Sequence, residues 1–203
     1  MYALVENNII TKYFNRPKGF TLGDNQYPAD IFMKWSVEEK EAIGIYEVVF
    51  DDSNKKDEQW YINTNQSFAF ANDTVTATYG TAVPKAHADA NGTDSDGVEL
   101  DPVVVITGLK TQLIRDLKLQ VANELARTDW YIIRNTEKST AIPSSISTHR
   151  DAVRTKQAAQ ETQITNASDT LALETLYTYV NIADEGDPEV YERPLGELPT
   201  LEI

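Results

Sequence analysis

The sequence contains no cysteine, which excludes disulfides, thiol catalysis, zinc–cysteine sites and iron–sulfur clusters. It has no apolar run approaching the roughly 18 residues that a transmembrane helix requires. Its first residues, Met1 to Glu6, offer neither the basic stretch nor the long apolar stretch of a secretory signal. Bases are scarce: 18 Lys and Arg stand against 32 Asp and Glu, for a net charge of −14. Such a chain is repelled by nucleic-acid phosphates and by anionic lipid, so neither nucleic acid nor membrane is an expected partner. What is present suffices for folded structure. Hydrophobic residues make up 41% and charged residues 25%, enough apolar material to build a core. A length of 203 residues gives one compact domain or two small ones.

The expected class is α+β, in four segments. Residues 1–85 read as a β-rich domain, an antiparallel meander with one short helix. Tyr2–Val5 and Ile9–Phe14 are strand-like runs around the turn Glu6-Asn7-Asn8. A loop follows, with Pro17, Gly19, Gly23 and Pro28. Ser36-Val37-Glu38-Glu39 is a capping box, and Gly44 sits where a glycine ends a helix. Strand-like runs resume at Ile45–Phe50, Gln59–Asn63, Ser67–Ala71 and Thr74–Tyr79. Residues 86–106 carry five acids and no base and read as an acidic linker. Residues 107–182 read as a helical domain of two to three helices. Leu109, Leu113, Leu117, Val121 and Leu125 recur every four residues and form one apolar stripe. A second, more polar helix is expected near 147–166, and a third capped by Ser168 or Asp169. Residues 183–203 hold seven acids, one base and three prolines and read as an extended acidic tail.

The search for chemistry returns little. No GxxxxGK, GxGxxG or GxSxG occurs, so phosphate cradles and nucleophile elbows lack support. The acidic stretch after Asp89 fails as a calcium loop. Setting Gly97 or Gly92 at the sixth position puts Gly92 or His87 at the first, where Asp belongs. His87 and His149 lie outside any nucleophile or metal motif and read as surface histidines. No catalytic residue, metal ligand or cofactor is assigned, and the chain reads as a non-enzyme. Trp130 and Tyr131 follow the end of the apolar stripe and are expected to pack over it in a small helical core. The tail alternates its acids with Tyr191, Leu195, Leu198, Leu201 and Ile203. An extended arm with spaced apolar anchors is expected to dock on a partner chain or a second copy.

One stretch resembles a known family. The order is Arg115 through Leu125-Ala126-Arg127-Thr128-Asp129-Trp130, a short Pro-containing loop, then His149-Arg150-Asp151-Ala152-Val153-Arg154. It resembles the tail (fibre) assembly chaperones of tailed bacteriophages. In these, a Leu/Ala/Arg-rich helix runs into Thr-Asp-Trp or Ser-Asp-Trp and is followed by a helix of the form Tyr-Arg-x-x-Leu-Arg. Tyr2-Ala3-Leu4-Val5-Glu6-Asn7-Asn8 and Ala42-Ile43-Gly44-Ile45-Tyr46 are similar to family stretches as well. The chain departs from the pattern at His149, where Tyr is usual, and in its third helix and tail. The resemblance implies a protein without catalysis that assists folding, trimerisation or attachment of tail fibres. The alternative is a permanent fibre or baseplate adaptor. Its partner would be a fibre or a neighbouring tail or baseplate protein, with homo-oligomers also open. It would work in the host cytoplasm during assembly, or in the virion tail. Trp130, Tyr131, Arg150 and Arg154 are the structural and interface residues implied.

Overall fold

Two pairs of turn residues open the fold. Asn7 and Asn8 have φ of 53° and 63°, and Asn72 and Asp73 have φ of 50° and 54°. Two successive positive φ values make the tight turns whose twist matches that of paired strands, and after glycine Asn and Asp tolerate them best. The first turn joins β1 (Tyr2–Glu6) to β2 (Ile9–Phe14), and the second joins β7 (Gln66–Ala71) to β8 (Thr74–Tyr79). Between them come β3 (Phe20–Leu22), β4 (Asn25–Tyr27), α1 (Ile31–Lys34), α2 (Val37–Glu41), β5 (Ile45–Asp51) and β6 (Tyr61–Ile62). This is a computed structural model, and it describes residues 1–201. Ile203, one of the expected tail anchors, lies outside the described residues. The chain forms two compact units, Met1–Val83 and Pro84–Ile203, with β9 (Val83–Pro84) at their boundary.

In the first unit a five-stranded sheet has the order β2-β1-β5-β8-β7. The expected strands and the short capped helix are present, but the sheet is not a pure antiparallel meander. β5 and β8 run parallel, with Val48 opposite Val75 and Phe50 opposite Ala77. The reason lies in the connection. After β5 the chain leaves the sheet, returns at its far edge as β7, and turns back beside β5 as β8. The stretch read as a loop also contains the β3–β4 hairpin and α1.

Strand alternation builds a core on each face of the sheet. Leu4, Phe14 and Ile45 pack with Phe20, Ile31 and Phe32 on one face. Ala3, Val5, Val48, Val75 and Ala77 pack on the other. The Ser36 hydroxyl accepts from the Glu39 amide at 3.2 Å, and the Glu39 carboxylate accepts from the Ser36 amide at 2.8 Å. Gly44, at φ 81°, then lets the chain re-enter the sheet. Its carbonyl accepts from the Val5 amide at 2.8 Å, and a Cβ there would collide with the Val5 carbonyl.

The second unit begins with a hairpin, β10 (Ala90–Asn91) against β11 (Val105–Ile106). Then come α3 (Leu109–Ala126), α4 (Asp129–Lys138), α5 (Ser144–Asn166), α6 (Thr170–Tyr177), β12 (Val180–Asn181) and β13 (Tyr191–Glu192). The segment read as a linker is therefore a folded part of this unit. The Asp89 carboxylate accepts from the Gly108 amide at 2.7 Å and from the Thr111 hydroxyl at 3.0 Å, capping α3 from outside the helix. Gly108, the cap residue itself, has no side chain to do this.

Leu109, Leu117 and Val121 of α3 are buried with Ile146, Val153 and Ile164 of α5 and Leu173 of α6. The expected stripe thus faces the core. Lys110 donates to the Thr165 carbonyl and Arg150 to the Leu125 carbonyl, which places α3 and α5 antiparallel. Asp169 caps α6 by accepting from the Ala172 amide at 2.8 Å.

Candidate functional site

The residues of the family-like stretch converge where α3, α4 and α5 meet. The last turn of α3 leaves backbone carbonyls without helical partners, and a cation nearby satisfies both their hydrogen-bonding capacity and the helix dipole. Arg150 supplies it. Its Nη1 donates to the Leu125 carbonyl at 2.8 Å, the Thr128 hydroxyl at 2.7 Å and Asp129 Oδ1 at 2.9 Å. Arg150 and Thr128 are buried. Beside them, His149 Nε2 lies 3.0 Å from Glu124 Oε1, and Glu124 accepts from Arg127 at 2.9 Å. Burial pushes the Glu124 carboxyl up, but the hydrogen bond and charge of Arg127, then those of His149, outweigh it and hold it below its ordinary value. His149 is buried in this cluster, contrary to the surface position expected of it.

This polar clamp closes the end of the apolar stripe, and it displaces the residue expected there. Trp130 is 49% exposed and does not pack over the stripe. Thr128 and Arg150 occupy that place, and a new helix begins at once, with Asp129 in its first turn. The indole is carried outward on α4, tilted by 32° against the Tyr131 ring with centroids 3.7 Å apart and covered on one side by Arg134 at 5.0 Å. α4 has no buried residue, and Ile132 and Ile133 are exposed beside Trp130. Arg154 stands one turn beyond Arg150, exposed, and pairs with Asp151 of its own helix.

A cleft of about 210 Å3 lies at the foot of α4, lined by Arg127, Thr128, Trp130, Tyr131, Pro143, Ser145, Ile146 and Leu201. The junction therefore brings together Trp130, Tyr131, Arg150 and Leu201 of the expected site residues, and leaves Arg154 outside.

The tail is corrected more sharply. Leu195 is buried in this chain's own helical unit, not held out for another chain. Its amide donates to the Leu176 carbonyl at 3.0 Å, and Gln160 Nε2 donates to the Leu195 and Gly196 carbonyls at 3.3 and 2.8 Å. One of the spaced apolar anchors, Leu195, is thus held by α5 and α6 of the same unit. Leu198 and Leu201 are half-buried and Tyr191 is exposed on β13. Gln160 was not singled out in the sequence. Gln160 is one of three glutamines on a polar helix, with Gln157 and Gln163, and nothing in the sequence marks it as the buried one.

No three His, Asp or Glu side chains converge into a metal-binding group among the described residues, and no helix among them is long and apolar enough to cross a membrane. Comparison with protein-family models, curated proteins and solved structures yields no match to this chain.

Proposed function

We propose that this chain is a non-enzymatic phage tail protein that assists folding, trimerisation or attachment of tail fibres. One observation carries the reading. The stretch that resembles the assembly chaperones closes into a buried clamp around Arg150, and the clamp mounts Trp130, Ile132 and Ile133 outward on a helix with no buried residue. A helix gains most of its stability from packing an apolar face. An apolar face turned to solvent on a fixed base is built for contact, and exposed Trp is a frequent interface anchor.

Fibre chains before assembly expose apolar surface and open strand edges, which aggregate. An acidic protein that covers such surface keeps the complex in solution through its net charge. The work is done in the host cytoplasm, on a fibre or a neighbouring tail or baseplate protein.

Co-expression with the neighbouring fibre gene, followed by pull-down, tests this. Trp130→Ala with Ile133→Ser should reduce capture about tenfold or more while leaving the urea midpoint unchanged. Capture that is absent for the unaltered chain, or untouched by the double substitution, rejects the reading. Mass spectrometry of purified particles then separates a transient assistant from a permanent component: stoichiometric presence marks the latter.

A further inference from the structure

We propose that the outer edge of Val103–Ile106 is a docking strand for a cationic β-strand of another protein. The proposal concerns a different surface from α4 and stands without the fibre-assembly reading.

Val103, Val104, Val105 and Ile106 are 54%, 51%, 58% and 56% exposed. Val105 and Ile106 form β11 and, as successive strand residues, point to opposite faces; both are exposed, so both faces are open, and Val103 and Val104 extend the apolar run just before them. The inner edge is occupied. Asn91 pairs with Val105, Ala90 pairs with Ile106, and the Gly92 amide donates to the Val104 carbonyl at 2.7 Å. Since the Val104 carbonyl and Ile106 bond inward, strand alternation turns the amide and carbonyl of Val105 outward. Among the described residues no backbone bond from another segment reaches them.

The hairpin is also held rigid on its other arm. The Leu109 amide donates to the Ala86 carbonyl at 2.9 Å, and Asp89 caps α3. An edge already ordered in its bound geometry loses little entropy when a strand is added.

Charge identifies the occupant. Residues 86–106 hold Asp89, Asp94, Asp96, Glu99 and Asp101 and no base. A second copy of this chain would bring the same five acids to the pairing and be repelled. A strand with Lys or Arg alternating with apolar residues supplies both the complementary charge and side chains to cover the valines.

The experiment titrates the full-length chain with short fluorescent peptides of alternating lysine and valine, lysine and serine, or glutamate and valine, read by anisotropy. The lysine–valine peptide should bind at least about tenfold more tightly than either control and weaken with added salt. Val105→Pro removes an outward amide and should abolish binding with the circular-dichroism spectrum retained. Val105→Lys keeps the backbone intact, serves if the proline variant does not fold, and should weaken binding of the same peptide. Equal binding of the lysine–serine peptide means charge attraction alone and overturns the proposal. Binding unchanged by Val105→Lys in the folded variant overturns it as well. So does a dimer of the free chain that Val105→Lys dissociates, because the edge would then serve self-association.

Discussion

Arg150 Nη1 reaches a helix-end carbonyl, a buried hydroxyl and a carboxylate within 2.9 Å, so one side chain ties the end of α3 to the start of α4 from a position on α5. Asp129 is half exposed, and removing Arg150 leaves no stranded charge in the interior; the loss is that of its hydrogen bonds. Arg150→Ala should therefore cost about 2–3 kcal/mol, read as a lower urea midpoint at unchanged slope. Arg150→Lys should recover only part, because the ammonium sits on a shorter stem and, being more strongly hydrated, costs more to bury. A loss of a few tenths would mean that the clamp is ornamental.

Glu124 adds a pH dependence whose sign is fixed. Its folded carboxyl lies below its ordinary value of 4.5. The unfolded chain thus binds the proton more readily, and the contribution of Glu124 is complete above about pH 4.5. It fades as the pH falls below that and through the depressed folded value. The stability difference between the unaltered chain and Glu124→Gln should be largest near pH 7 and shrink toward pH 3. A difference that grows on acidification would refute the assignment.

At the scale of elements, the tail shows how an apolar anchor chooses its groove. Leu195 is 2% exposed and its backbone is held by both Leu176 and Gln160. Leu195→Ala should cost about 2–5 kcal/mol, as for other buried leucines, and should loosen the β12–β13 hairpin that precedes it. Faster amide exchange at Val180 and Tyr191 checks the second part. An arm built for a partner would leave both measurements unchanged.

The same element marks where sequence reading stops. Leu195 and Leu198 were legible as anchors, since extended acidic segments have no other use for spaced leucines. The surface that takes Leu195 was not, because an apolar stripe records what is buried and not which surface buries it. The hairpin turns at Asn7-Asn8 and Asn72-Asp73, the box at Ser36 and the stripe from Leu109 to Leu125 were readable because each is set by neighbours within a few residues. The parallel pairing of β5 with β8 and the clamp from Arg150 to Leu125 join residues more than 20 positions apart. No local pattern encodes them. Trp130 was misplaced for the same reason: the apolar run showed a helix end to be closed, but Thr128 and Arg150, both polar, close it.

For the whole molecule, the question is where one unit stops and the other starts. Composition places the break across residues 86–106, where bases vanish. The structure places it between Val83 and Pro84, and gives residues 86–106 to the helical unit. The two boundaries predict different behaviour of fragments. A fragment of residues 84–203 keeps Asp89 on the Gly108 amide and the Thr111 hydroxyl, and keeps the Ala86 carbonyl on the Leu109 amide. A fragment of residues 107–203 starts at the bare end of α3, whose cap residue is a glycine with no side chain to replace them. Loss of a helix cap alone costs about 1 kcal/mol, and Ala86 and His87, just before the hairpin, add backbone bonds to Leu109 and Lys110. The longer fragment should therefore be helical and unfold cooperatively, with a urea midpoint clearly above that of the shorter one. Asp89→Ala in the longer fragment should move its midpoint part of the way down, because the backbone bonds remain. If the two fragments unfold together, residues 86–106 contribute nothing to the helical unit and the composition-based boundary is the physical one. If the longer fragment alone is stable, the acids that look like a solvated spacer include the cap of the longest apolar stripe in the chain.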